Sequence, residues 1–251
     1  MSLTLYHGEP NGPSLTVLAT LFAKQVAADL RHIDLARGER HALACAREPL
    51  VALSIEGEGP VLVADGEAMT DSVFIACYLD EVGQGAALRP ADAYDRWETM
   101  KWCRQMIERT APAAAYLGCR AHPPQADAAV LERIGSRDLR ARWEQFIAGQ
   151  FSEGQLTDSR SKIQQAAERI EARLADREWL MGGYSIADLE SYAWLAGMVP
   201  LVPEAFAERP RTLAWLARVK ASPGVARALS LARTPEPAAS WSVGPEINRW
   251  G

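Results

Sequence analysis

The sequence predicts an α/β domain followed by an all-helical one. Three observations carry this. Residues 1 to 82 read β-α-β-α-β-β-α, residues 83 to 92 break that pattern with small residues and a proline, and beyond them apolar residues recur only at helical spacing. A chain of 251 residues with 48 % hydrophobic content has material for two modest cores.

Leu3 and Leu5 alternate in a first strand, Ser2 to Tyr6, and His7 to Pro13 is a loop of turn formers. Ser14 begins a helical run with Leu15, Leu18, Ala19, Leu21 and Phe22 on its apolar side. Ala27 to Ile33 reads as a second strand, and His41 to Leu53 carries a weak helical pattern. Val61 to Val63 is a third strand, Asp65-Gly66 a two-residue hairpin turn, and Glu67-Ala68-Met69 the returning strand. Thr70-Asp71-Ser72 then opens a helix that places Val73, Ile75, Ala76 and Leu79 for packing. This is the order of a thioredoxin-like domain. The expected division is therefore 1–82 thioredoxin-like, 83–92 linker, and 93–251 helical with an irregular tail from Thr234.

In the helical part, Ala91 to Leu117 is expected as one long helix ended by His122-Pro123-Pro124, and 127 to 151 as a second. Ser161 to Leu174 and Arg211 to Lys220 are two more. Between them, Ser185 and Asp188 form a capping-box pair before a helix, with Tyr184 and Leu189 at the staple positions. Asp188 is thus assigned a structural role.

Composition removes several classes. Net charge is −5 without a basic block, which speaks against nucleic acid. Apolar runs are far below membrane-spanning length, and no basic-then-apolar signal pattern stands at Met1, so no membrane partner is expected. The four cysteines (Cys45, Cys77, Cys103, Cys119) are scattered without metal-ligand pairing, so no metal site and a reducing cytoplasmic setting are expected.

The stretch from Glu56 to Leu79 holds the candidate site. A helix start presents unpaired N–H groups and a positive dipole end, and Ser72 adds a hydroxyl, which together suit a carboxylate. Asp71 beside it suits an ammonium group, so the pair fits one α-amino-acid end of a ligand; an ordinary capped helix is the plain alternative. Pro60 at the strand start allows a cis bond, which would expose the backbone of Gly59 to a peptide laid antiparallel.

These residues resemble the glutathione transferases, whose thioredoxin-like domain carries N-P-x-G-x-V-P, a hairpin, and [ED]-S at a helix start. Here Ser54 to Pro60 (S-I-E-G-E-G-P) keeps only Gly57 and Pro60, while the strand, D-G turn and D-S follow at the family's spacing. The resemblance implies a helical C-terminal domain, glutathione as cofactor, and Gly59, Pro60, Asp71 and Ser72 as its binding residues. It also implies that the start of the first helix faces the sulfur, with Ser14 as the thiolate donor and Asn11 as the second candidate; Tyr6 is expected to pack and Thr16 ranks last. The run M-S-L-T-L-Y, Ser14-Leu15, A-T-L and L-R-P-A-D is similar to bacterial glutathione-dependent β-etherases. That implies attack of a thiolate on the carbon bearing an aryl ether in lignin-derived dimers, within a pocket drawn from Trp97, Trp102, Tyr116 or Trp143. Partners expected from the family are an aromatic substrate and a second subunit, identical or related. The degraded motif (Gly59, Ile55, and Asp71 for Glu) keeps open a non-catalytic subunit paired with a related chain. A thioredoxin-type redox protein is set aside, because His7 to Leu15 contains no cysteine.

Overall fold

The computed structural model describes residues 2–41 and 59–235. The helical pattern over 42–53, the first part of the 54–60 motif, Cys45 and the tail from 236 lie outside the described residues. Among the described residues the strands are β1 (Leu3–His7), β2 (Asp29–His32), β3 (Val61–Ala64) and β4 (Glu67–Met69), in the sheet order β2-β1-β3-β4. β1 runs parallel to β2 and antiparallel to β3, and β3 antiparallel to β4.

Alternation within the strands separates two faces. Leu3, Leu5 and Leu62 join the large core with Leu15 and Leu18 of α1 (Gly12–Ala23) and Ile75 and Leu79 of α2 (Ser72–Val82). Tyr6, Val61 and Val63 turn the other way and pack with Ile33 and Leu35. The β3–β4 turn has positive φ at both Asp65 (48°) and Gly66 (93°), the signature that D-G predicts.

The first helix opens earlier than the sequence reading placed it. Asn11 is its N-cap and Gly12-Pro13 its first turn, so Ser14 lies inside the helix. Lys24, at the end of α1, reaches Asp80 of α2 at 3.0 Å and the carbonyls of Gly85 and Ala86. Asp80 also accepts from the Leu88 N–H and pairs with Arg89, so both helix ends are tied to the segment that follows α2.

The expected helix 91–117 is α3 (Ala93–Gln105), a π turn (Met106–Thr110) and α4 (Ala111–Ala121). Pro112 is the local cause: without an N–H it cannot continue the α register, and the wider turn absorbs the mismatch. The expected helix 127–151 is divided into α5 (Ala128–Leu131) and α6 (Arg137–Ile147), because Gly135 interrupts it and Ser136 caps a new start by accepting from the Leu139 N–H. This segment reaches back to the N-terminal part, with Gln125 donating to the Ala36 carbonyl and Arg133 to that of His41.

Then come α7 (Glu153–Arg173), α8 (Ile186–Leu195), α9 (Pro210–Ala221) and α10 (Pro223–Leu229). The last is a helix that the sequence analysis does not contain: Pro223 stands in its first turn, where its missing N–H leaves no bond unmade. α8 is buried along its whole length and lies against α1. Its capping box is formed, with Ser185 N–H donating to Asp188 Oδ2 at 3.0 Å. No helix among the described residues is long and apolar enough to cross a membrane.

Candidate active site

The loop between β1 and α1 carries the donors nearest the start of α1. Ser14 Oγ accepts from the Gly8 N–H at 2.9 Å, which leaves its own O–H to donate. Ser14 and Asn11 are both buried. A side chain at Gly8 would place its Cβ 2.8 Å from Leu35, and one at Gly59 would place it 3.2 Å from the same residue. The two glycines let Leu35 press against both backbones, bringing the Ser14 loop and the Gly59-Pro60 segment to one place. The Gly59–Pro60 peptide is cis.

The loop is braced on its outer side. The buried ring of His7 donates from Nδ1 to the Gly8 carbonyl, and burial holds its pKa below the ordinary value. His32 Nε2 meets Glu9 Oε1 at 3.2 Å, and Glu9 accepts from the Arg233 N–H at 3.0 Å. Residues near the end of the described chain therefore touch the loop that positions Ser14.

The second helix start lies at Asp71-Ser72. Asp71 caps α2, its Oδ1 accepting from Val73 N–H at 3.0 Å and Phe74 N–H at 3.2 Å. Its backbone stands at φ 74°, ψ 115°, a conformation costing about 1–3 kcal/mol in a residue with a side chain. Strain of this kind persists where surrounding structure demands it, and here it sets the direction of the Asp71–Ser72 pair.

Ser72 makes a contact that sequence reasoning missed. Its hydroxyl donates to Oε2 of Glu190 at 3.3 Å, and Thr16 Oγ1 donates to the same oxygen at 2.8 Å. Trp194 Nε1 donates to Oε1 at 2.6 Å. Glu190 is fully buried, and burial pushes its carboxyl up to about 7 against the three hydrogen bonds, with the charge of Asp71 adding to the rise. Thus α1, the start of α2, and α8 meet at one carboxylate. The sequence signal for it is a second carboxylate, two positions after Asp188, inside the largely apolar run Ile186 to Leu195.

The aromatic candidates fare differently. Trp143 is buried with Ile134 and Leu139, Trp102 is buried with its Nε1 donating to Ser191, and buried Tyr116 accepts from the Ser152 N–H. Trp97 is exposed on α3 beside Tyr94. Three of the four are packing residues and the fourth faces outward. Tyr6 is buried with its hydroxyl accepting from Arg31, in keeping with a packing role. Among the described residues no cluster of His, Cys, Asp and Glu is arranged to hold a metal ion.

The architecture, a four-stranded mixed sheet on which an all-helical half is packed, is similar to that of solved proteins. The structure of the β-etherase LigF from Sphingobium sp. strain SYK-6 superposes with a TM-score of 0.82 at 25 % identity, over 92 % of this chain and 100 % of that one. The chain has the glutathione transferase fold. In sequence, it is 25 % identical to LigF over 244 residues, 90 % of this chain and 92 % of that one. A glutathione transferase from Populus trichocarpa matches with a TM-score of 0.66 at 23 % identity over 90 % and 99 % of the two chains. A glutathione transferase family member from Pseudomonas fluorescens, solved with two glutathione molecules bound, matches at 0.68 and 17 % over 91 % and 92 %. No protein-family model matches the chain. In this glutathione transferase fold, two helix starts carry the candidate residues: Ser14 and Asn11 at α1, Asp71 and Ser72 at α2.

Proposed function

We propose that this chain is a glutathione transferase that cleaves β-aryl ethers of lignin-derived dimers. The observation that carries the reading is the intact strand, hairpin and Asp71-Ser72 helix start in a chain that matches a β-etherase over that protein's whole length. The donor set fits glutathione. Ser72 offers a helix-start N–H to the γ-glutamyl carboxylate, Asp71 a carboxylate to its ammonium, and Gly59 backbone groups to the peptide, framed by Pro60. When bound, glutathione supplies a thiolate that attacks the ether-bearing carbon, forming a carbon–sulfur bond and expelling a phenolate. Ser14 donates its O–H to the sulfur at the positive end of α1, with Asn11 as the alternative donor.

The proposed division is 1–82 for glutathione and 93–251 for the aromatic substrate, joined by 83–92, in a cytoplasmic enzyme. We take the working unit to be a dimer, of identical or related chains. Phe74 at the start of α2 and Tyr94 and Trp97 on α3 are large apolar side chains left exposed, and a partner would cover them. The purified chain should be retained on immobilised glutathione and should release a phenol from a β-aryl ether only when glutathione is added. Retention without turnover, restored by adding a homologous chain, would favour the non-catalytic subunit instead.

A further inference from the structure

Glu190 is a charged residue type in the fully buried stretch of α8, and the capping of that helix does not use it. Its carboxylate is the junction of three elements: Thr16 two residues beyond Ser14 on α1, Ser72 at the start of α2, and Trp194 on α8. A hydroxyl has one proton. While Ser72 donates that proton to Glu190, it can offer a ligand carboxylate only its backbone N–H, and its oxygen turns lone pairs outward. An ionised Glu190 also places negative charge one hydrogen bond from the spot a ligand carboxylate would occupy.

We infer that Glu190 is a positioning residue that couples glutathione binding to uptake of a proton: protonated, it releases the Ser72 hydroxyl to donate to the γ-glutamyl carboxylate, and ionised, it holds that hydroxyl back. This rests on the reading of Ser72 as a glutathione residue. The titratable groups that interact with Glu190 are Asp71 from the start of α2 and the buried thiol of Cys103 from α3, and α1 brings the Thr16 hydroxyl. Burial and the charge of Asp71 disfavour the charged form of Glu190, and the hydrogen bonds from Trp194, Thr16 and Ser72 favour it. Its titration near neutral pH puts the exchange within the working range.

The sign follows by linkage. If the complex favours protonated Glu190, affinity is constant well below pH 7 and weakens as pH rises through it. The test is calorimetric titration with S-methylglutathione, which has no thiol proton to lose, in buffers of different ionisation enthalpy. Wild type should take up about half a proton per ligand near pH 7 and close to one at pH 8, with Kd rising about tenfold from pH 6 to 8. Glu190→Gln keeps the shape and should bind with no proton uptake and no pH slope over that range. A wild type that binds without taking up a proton overturns the coupling, as does a Glu190→Gln variant that retains the slope. Ser72→Ala separates the two readings. Weakened binding in that variant together with no proton uptake in wild type removes the coupling alone. Unchanged affinity in Ser72→Ala, or no binding by wild type at any pH, removes the glutathione site at Ser72 and the coupling with it.

Discussion

Asp188→Ala should be among the most destabilising single changes in the chain. The carboxylate is fully buried and accepts four hydrogen bonds: Leu180 N–H at 3.0 Å, Trp215 Nε1 at 2.8 Å, Ser185 N–H at 3.0 Å and Ser185 Oγ at 2.9 Å. Burial alone would disfavour its charge, and it raises the carboxyl pKa despite these bonds. Alanine strands four donors from three segments, each costing about 1–3 kcal/mol when left buried without a partner. Taking the low end for each gives a loss of about 4 kcal/mol, a large part of the roughly 5–15 kcal/mol that holds a domain folded. Asn is no rescue, because its amide would turn donors toward the Ser185 N–H. Urea unfolding followed by tryptophan fluorescence measures this, since Trp215 loses its own hydrogen bond. With a slope near 3 kcal/mol per M, the midpoint should fall by about 1 M or more. Ser185→Ala, which removes one of the four donors, should cost about 1 kcal/mol. An Asp188→Ala protein with the wild-type midpoint but without glutathione-dependent activity would refute the structural assignment and make Asp188 functional.

Asp71→Ala should weaken glutathione binding by about 1–3 kcal/mol in calorimetry; because Asp71 also caps α2, it should lower stability by about 1 kcal/mol as well, and unchanged affinity would remove it from the site. Lys24→Met should destabilise by about 3–5 kcal/mol, since Lys24 and Asp80 are both almost fully buried and the carboxylate would be left without its lysine. Burial opposes ionisation of Asp80, but the Leu88 N–H, Lys24 and Arg89 outweigh it and hold its pKa below the ordinary value. Its contribution is thus present above about pH 4 and is lost as pH falls through the lowered folded value, which acid unfolding of Asp80→Asn against wild type will show. Trp97→Ser with Tyr94→Ser should shift a dimer toward monomer in light scattering at micromolar concentration, with unfolding midpoint little changed, because both side chains are exposed in the single chain.

Much of this was legible because its cause is local. Asp65-Gly66 can hardly be anything but a hairpin turn between two apolar runs, and Ser185 with Asp188 names a helix start by spacing alone. The failures were local as well, but turned on residues with two meanings. Pro223 follows one helix and begins the next, and Gly12-Pro13 moved the start of α1 ahead of Ser14, where the apolar pattern begins. Gly135 is one small residue in an otherwise helical pattern, yet with Ser136 behind it the helix restarts. What could not be read was long-range. Nothing near Glu190 in sequence announces Thr16 and Ser72, which lie 174 and 118 positions away. Leu35 looks like one more apolar residue until Gly8 and Gly59 are seen to make room for it. Burial of Trp102 likewise depends on α8, whose Ser191 takes its Nε1–H from 89 positions away.

The central claim, that this chain binds glutathione and activates its sulfur at the start of α1, is tested most directly by the thiolate absorbance of the binary complex as pH is varied. An ordinary thiol titrates near 8.5. The account predicts a value lowered by one to two pH units in wild type, worth roughly 1.4–3 kcal/mol, which one charge-assisted hydrogen bond and the helix start can supply. Ser14→Ala should restore most of the difference with affinity little changed, while Asn11→Ala should not. A shift lost in Asn11→Ala and kept in Ser14→Ala would move the donor to Asn11. A bound thiol that titrates like free glutathione in the wild-type chain would contradict the account.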